Sequence, residues 1–315
     1  MVKELHILSW GGGTQSTAMM LKMLSDGKKF DYIIFADTKN EPEMVYSQVY
    51  KVQKYIKEKY DQEIIITARN KTPISDDEAI KMVKATSDKE YRRSEYADLF
   101  QSHILYFKGF AKAIDAMPFW TRDKKTGKIG KTPFKACTTE YKLRQLLREV
   151  RKQEGVNHLT RKRYKIYMYV GFSADEIIRL KPSPIANIEN VFPLIELNWE
   201  KKDCIDYVEK KLGFIPTSSV CNMCFANHID RIYDIYKNDK KGWGRLLMLD
   251  DAMAEKPKDH KIINDCFMFR WQAEENVRLR AIDFEDFYKN YNEKRKSRSL
   301  FDLEEEGSCM GGCFL

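Results

Sequence analysis

The sequence lacks any long hydrophobic run. Tyr32–Ala36 is typical of its apolar stretches, and nothing approaches the roughly 20 consecutive apolar residues that span a bilayer. A secretory leader is also missing. Met1-Val2-Lys3-Glu4-Leu5 reads directly into a strand, with no apolar h-region, so the expected location is the cytoplasm and no membrane partner is expected. There is no internal repeat and no clean linker. The five histidines, at 6, 103, 158, 228 and 260, form no ligand spacing, although His228 stands four residues after a cysteine. Only one CxxC occurs, so a zinc ribbon built from two such pairs is excluded. The seven cysteines are odd in number, and without an export signal they argue against a secreted disulfide framework. Metal or redox chemistry is the better expectation.

Hydrophobic residues make up 43% and charged residues 32% of the 315-residue chain, which opposes disorder. That length supports one large or two modest domains and a sizeable core. Lys plus Arg is 55 and Asp plus Glu is 47, giving 55 − 47 = +8. This balance permits a polyanionic partner without demanding one.

The first seventy residues alternate regularly. Leu5–Ser9 is a short apolar run, and Thr14–Leu24 has helical apolar spacing. Tyr32–Ala36 reads as a buried strand, Glu41–Tyr60 as an amphipathic helix and Glu63–Thr67 as a third strand. Such alternation predicts βαβ units, hence an α/β fold with a parallel sheet and helices on both faces. Residues 70–133 read as an insertion, with a helix over Asp76–Ala85 and a hairpin around Lys124-Lys125-Thr126-Gly127-Lys128. Thr138–Lys152 and Lys201–Leu212 are predicted helices; Tyr164–Val170 and Asn187–Leu194 are predicted strands. Beyond Cys224 the pattern is mainly helical to Tyr291. The expected organisation is an α/β nucleotide-binding domain over 1–225 and a helical C-terminal elaboration over 226–315 with a cysteine-containing tail.

Two loops carry the chemistry. Ser9-Trp10-Gly11-Gly12-Gly13-Thr14-Gln15-Ser16 joins the first strand to the first helix. Glycines let backbone N–H groups approach an anion closely, and the helix N-terminus adds its positive end. No Gly-Lys-Ser/Thr follows, so this is not the nucleotide-triphosphatase P-loop, and its spacing is not GxGxxG. Asp37-Thr38 closes the second strand, with Glu41 beyond. Carboxyl ends of adjacent parallel strands face one crevice, so Asp37 could hold a ribose, a metal or an attacking group, or it could cap the next helix.

Together these features resemble the PP-loop ATP pyrophosphatase superfamily, in particular its phosphoadenosine phosphosulfate reductase-like branch. There a Ser-Gly-Gly-x-Asp-Ser-type loop is followed by Asp-Thr-Gly-x-Glu. Here the second motif reads Asp37-Thr38-Lys39-Asn40-Glu41, with Lys39 for the glycine, and Gln15 replaces the acidic residue of the first. Cys137-Thr138-Thr139-Glu140-Tyr141-Lys142 resembles the family's Cys-x-x-x-x-Lys helix start. Gly171-Phe172-Ser173-Ala174-Asp175-Glu176-Ile177-Ile178-Arg179 resembles its later nucleotide-facing loop. The likeness covers about residues 1–225. It implies an adenine nucleotide hydrolase-like fold with ATP or a related adenine nucleotide at the carboxyl edge of the sheet, magnesium being an open accompaniment. The phosphates would lie on Ser9 and Gly11–Ser16, with Asp37, Thr38, Gly171 and Phe172 beside the nucleotide. Arg179 would be a second anion contact, suited by its fixed fork of donors.

Cys221-Asn222-Met223-Cys224 suggests a metal, a cluster or a redox pair. Cys137 opens a helix, where the dipole stabilises a thiolate. Cys204 and Cys266 read as buried small hydrophobes. The resemblance implies an iron–sulfur cluster on Cys137, Cys221 and Cys224, with zinc the alternative and Cys313 a candidate fourth ligand. The family's cluster-bearing reductases have a Cys-Cys pair where this chain has Ala136-Cys137. Cys309 and Cys313 in the Gly-flanked tail are candidate catalytic thiols, but the Glu-Cys-Gly-Leu-His ending of assimilatory reductases is absent.

Residues 141–165 hold nine Lys/Arg against Glu149 and Glu154, a local excess of 9 − 2 = +7. This can contact nucleic-acid phosphates or serve as a solvated face. The expected function is adenylation of a substrate with pyrophosphate release, for sulfur transfer from a thiol or sulfur-donor protein. Sulfonucleotide reduction and a non-catalytic, nucleotide-gated binding module remain open alternatives. The acceptor and the oligomeric state are not legible.

Overall fold

In the computed structural model, the described residues are 2–69, 75, 78, 81, 98–109, 118–132, 136–217 and 220–296. Most of the predicted helix over Asp76–Ala85, and the tail cysteines Cys309 and Cys313, lie outside them.

Among the described residues, five strands form one parallel sheet in the order β3-β2-β1-β6-β7. They are β1 (Lys3–Ser9), β2 (Tyr32–Asp37), β3 (Ile64–Ala68), β6 (Tyr164–Tyr169) and β7 (Ile188–Val191). The central strand β1 sets Leu8 opposite Ile33 of β2 and Ile7 opposite Met168 of β6. Its side chains alternate between two cores, as the period of a strand requires. Leu8 packs with α1 (Thr14–Ser25), α2 (Glu43–Tyr60) and α5 (Lys201–Leu212), whose inward residues include Met20, Val49 and Val208. Leu5 and Ile7 face the opposite core, closed by Leu146 and Val150 of α4 (Arg144–Gln153). Each fully buried aliphatic side chain in these layers contributes roughly 1.5–3 kcal/mol. The chain therefore has the expected α/β architecture, with helices on both faces of a parallel sheet and C-terminal helices beyond.

A third core lies beside the sheet. It joins α3 (Leu99–Phe107) to α6 (Ile229–Asn238), α7 (Lys240–Ala254), α8 (Arg270–Glu275) and α9 (Phe284–Lys296). The hairpin β4 (Trp120–Arg122) and β5 (Ile129–Lys131) forms as its Thr-Gly turn suggested. A short strand, β8 (Asp265–Phe267), pairs with β4. That strand lies in a stretch expected to be helical. Its three residues carry no period of their own, and the pairing with β4 defines it. The strand predicted through Leu194 ends at Val191, because Pro193 opens a helical turn, Pro193–Glu196, as proline favours.

Two packing constraints yield tests. A Cβ on Gly171 would lie 2.6 Å from the Ser16 Cα and 2.8 Å from its N. Only glycine lets the end of β6 approach the first turn of α1 this closely. Gly171→Ala is expected to cost about 1–3 kcal/mol, read as a lowered urea midpoint; an unchanged midpoint would contradict the packing. His103 is fully buried, and burial lowers its pKa to about 3. Its neutral form stabilises the fold fully above the unfolded value of about 6.5, and this is lost as pH falls toward 3. Between pH 7 and pH 5, His103→Leu should therefore lose about 2 kcal/mol less stability than the parent. Paired denaturation curves at the two pH values measure that difference.

Candidate active site

From β1 the chain moves outward to β2 and β3, and later returns on the other side with β6 and β7. The carboxyl ends of β1 and β6 therefore form a topological switch point, where α/β sheets open a crevice for ligands. The glycine loop sits there. Trp10 donates its backbone N–H to the Ile34 carbonyl (3.0 Å) and its Nε1 to Thr17 Oγ1 (3.0 Å). The Thr17 hydroxyl donates to the Gly13 carbonyl at 2.7 Å. Gly12 adopts φ +79°, a backbone conformation that favours glycine. Gly13 caps α1 without a side-chain acceptor, and the first turn contains no acidic residue. The positive end of α1 therefore lies at this loop.

Ser9, Gly11, Ala36, Thr138, Lys142 and Val170 line this crevice, which encloses about 40 Å³. Lys142 lies in a wide π turn, Thr139–Leu143, interposed between Ala136–Thr138 and α4. Such turns re-aim side chains and recur at functional sites. The remaining members of the glycine motif hold the surroundings in place. Thr14 Oγ1 donates to the Pro216 carbonyl (2.7 Å), Ser16 Oγ to the Gly13 carbonyl (3.2 Å) and Gln15 Nε2 to Glu176 Oε2 (3.4 Å).

The second loop is heavily braced. Asp37, 4% exposed, accepts from the Lys39 N–H (2.7 Å) and the Tyr46 hydroxyl (2.9 Å), and pairs with Lys39 Nζ at 2.9 Å. Lys39 has φ +61°. The lysine thus adopts the left-handed conformation that favours the glycine of the resembled motif. Thr38 donates to Glu41 Oε1 at 3.0 Å, while Glu41 Oε2 is buried without a hydrogen-bond partner. Burial pushes the Glu41 carboxyl above the usual range, against the pull of Lys142. Arg245 donates to the Lys39 carbonyl (2.8 Å) and pairs with the buried Asp98 (3.0 Å).

The same loop is joined to the CxxC turn. Asn222 N–H donates to the Asn40 carbonyl (2.9 Å), and Asn40 Nδ2 donates to Cys221 Sγ (3.2 Å). Cys224 N–H closes the turn on the Cys221 carbonyl at 3.0 Å. Burial, and then Glu41, push the Cys221 thiol up to about 12. Cys137 packs against the apolar cluster that includes Cys221. Among the described residues, no three His, Cys, Asp or Glu side chains converge as a metal-ligand group. Cys137, Cys221 and Cys224 therefore share a region without forming a ligand set by themselves; Cys313 lies outside the described residues. Cys204 and Cys266 are fully buried, with thiols raised by burial to about 12 and about 11.

The Gly171 loop leaves β6 beside the glycine motif. Phe172 is buried under the Arg179 guanidinium (4.6 Å from the ring centroid), and Arg179 is ion-paired to Glu176. Arg179 Nε and Ser173 Oγ are buried without hydrogen-bond partners. The basic segment is divided by the fold. Lys142 stands at the carboxyl edge, whereas Arg161, Lys162 and Arg163 are exposed just before β6, at the opposite edge. Arg144 and Lys152 pair with Glu140 and Glu149.

Sequence reading missed the bracing by Tyr46, Asn222 and Arg245. Arg245 is 206 residues from Lys39, and no local signal announces that contact. No helix among the described residues is long and apolar enough to cross a membrane. No family model, curated protein or solved structure matches this chain.

Arg245 offers a direct test of the bracing. Arg245→Ala removes one partner of a buried carboxylate that also accepts from the Gln101 N–H (2.8 Å), and should cost about 1–3 kcal/mol. Arg245→Lys should restore little, because one ammonium cannot reproduce the fork spanning Lys39 and Asp98. Chemical denaturation of both variants measures this; wild-type stability of Arg245→Ala would contradict it.

Proposed function

We propose that this protein is an adenine-nucleotide-dependent enzyme of the PP-loop type that activates a substrate by adenylation for sulfur transfer. One observation carries the reading. The uncapped glycine loop, the end of β2 and the Gly171 loop converge at the switch point of a parallel sheet, beside Lys142. Backbone N–H groups of Gly11–Ser16 and the α1 N-terminus would hold phosphate oxygens. Lys142 would oppose the charge that grows on the departing pyrophosphate. Arg179, tethered by Glu176, would be the second cationic contact.

In the reaction, an oxygen of the substrate attacks the α-phosphorus of ATP. The bond to the β-phosphate oxygen breaks, giving an adenylate and pyrophosphate. A sulfur nucleophile then attacks the activated carbon, and AMP leaves with the bonding electrons. Asp37 is engaged by Lys39 and Tyr46, which favours a positioning role. Cys137, Cys221 and Cys224 remain the candidate thiols for a cluster or zinc, and an iron with an open position would supply a binding point for sulfur. Their described arrangement gathers no three-ligand set, so no step is assigned to such a group.

Purified full-length protein should release pyrophosphate from ATP when an acceptor extract is supplied. Gly12→Val and Asp37→Ala, each verified as folded by circular dichroism, should reduce release at least tenfold. Unchanged release in both would reject the assignment, and nucleotide binding without any AMP formation would favour the gated binding module. Iron and acid-labile sulfide analysis after anaerobic purification separately tests the thiols. Absence of iron, sulfide and zinc would remove the metal proposal.

A further inference from the structure

The β4–β5 hairpin takes no part in the chemistry proposed above. It holds five cations (Arg122, Lys124, Lys125, Lys128 and Lys131) and one acid, Asp123. That acid is taken up by the turn. Asp123 Oδ1 accepts from the Thr126 N–H (2.7 Å), the Thr126 hydroxyl (2.9 Å) and the Lys125 N–H (3.0 Å), and these bonds hold its carboxyl below the usual range. Gly127 completes the turn at φ +68°, its N–H on the Asp123 carbonyl at 2.9 Å. Arg122 is turned inward and donates to the Ala273 carbonyl of α8 at 2.9 Å. The acids nearby are engaged too, Glu274 with Arg270 (2.8 Å) and Asp265 with Lys124 (3.5 Å). Lys125, Lys128 and Lys131 are exposed and form no ion pair with a described residue. A braced turn thus presents three unneutralised ammonium groups to solvent.

The same hairpin carries aromatic surface. Trp120 and Lys131 stand directly opposite each other across the strands and so share a face. Trp120 Nε1 donates to the Phe225 carbonyl (3.2 Å), and Lys131 Nζ lies 5.2 Å from the Phe225 ring centroid. The Arg270 guanidinium lies 5.8 Å from the Trp120 ring centroid. Both rings are half-buried. Cations and rings therefore alternate across one face, and Phe225 directly follows Cys224, so the face runs into the CxxC turn. Charge alone would suit any polyanion. Cations interleaved with rings suit a strand that offers phosphates and unstacked bases together.

We propose that this face binds a single-stranded stretch of RNA. Lys125, Lys128 and Lys131 contact phosphates, and unpaired bases lie against Phe225 and Trp120. A duplex keeps its bases stacked and offers the rings nothing. Binding here is independent of the ATP reading; only the strand's use as the acceptor rests on that reading.

Fluorescence anisotropy on the full-length protein tests this with a labelled single-stranded RNA of about 20 nucleotides, longer than single-strand sites usually are. The RNA should bind in the micromolar range or tighter, and a DNA duplex of the same sequence at least tenfold more weakly. Lys125→Ala/Lys128→Ala/Lys131→Ala, confined to exposed side chains, should weaken RNA at least tenfold. It should also flatten the slope of log affinity against log salt by about 2, at about 0.7 per phosphate contact. Phe225→Leu keeps an apolar side chain without the ring; it should weaken RNA severalfold and leave the salt slope unchanged. Arg161→Ala/Lys162→Ala/Arg163→Ala removes the same charge from the amino edge and should change affinity less than threefold. Gly12→Val should leave RNA binding intact, which separates failure of this surface from failure of ATP activation. The proposal is overturned by absence of RNA binding at about 50 mM salt, by equal affinity for the duplex, or by equal displacement with polyglutamate. Wild-type affinity in the lysine variant or in Phe225→Leu, or equal losses in the two charge variants, overturns it as well.

Discussion

The carboxyl edge of the sheet depends on one short stitch, the backbone hydrogen bond from Asn222 to Asn40 with the adjoining Asn40 Nδ2–Cys221 contact. It holds the CxxC turn against the loop that follows β2. The two segments are about 180 residues apart in sequence, so neither is positioned by local preference. Arg245 adds a third strand of chain to the same knot through the Lys39 carbonyl and Asp98. The third core thereby becomes part of the site. Its helices carry Arg245 to that loop as well as burying their own apolar faces.

The knot contains several features that oppose stability when taken singly. Lys39 occupies the left-handed region, which costs a side-chain-bearing residue about 1 kcal/mol or more. Glu41 is buried with one oxygen unpaired, and Arg231 nearby is buried far enough for its pKa to fall. Two lysines begin a helix at its positive end. Strained and unmatched groups persist where the surrounding structure over-determines them, and they gather at ligand sites. They are concentrated around one loop, away from the well-packed faces of the sheet.

Much of the fold was legible because it is written in periodicity. The apolar runs of β1, β2 and β3 and the helical spacing of α1 and α5 carry their own signals, and each forms close to its predicted limits. The glycine loop and Asp37 could be read as neighbours, because parallel strands bring their carboxyl ends together. Gly171 has a packing reason that the sequence does not announce, its contact with Ser16. The failures share one cause. β8 exists only through pairing with β4, and Arg245 acts only through contacts about 150–200 residues away. The basic segment read as one patch because charge was counted along the chain, whereas α4 carries it from one edge of the sheet to the other.

That division of charge bears on what can bind where. A polyanion lying along Arg161–Arg163 would be at the amino edge, with the whole sheet between it and the glycine loop. Lys142 alone of that segment reaches the crevice. Long-range attraction from the far edge is weakened beyond about 8–10 Å at physiological salt. The cations at the carboxyl edge are instead Lys142, Arg179, Lys240 and Lys241, drawn from the π turn, the Gly171 loop and the start of α7. Three elements from separate parts of the chain bring these cations to one edge of the sheet. Charge at that edge is thus set by contacts distant in sequence, and the net charge of +8 does not report it.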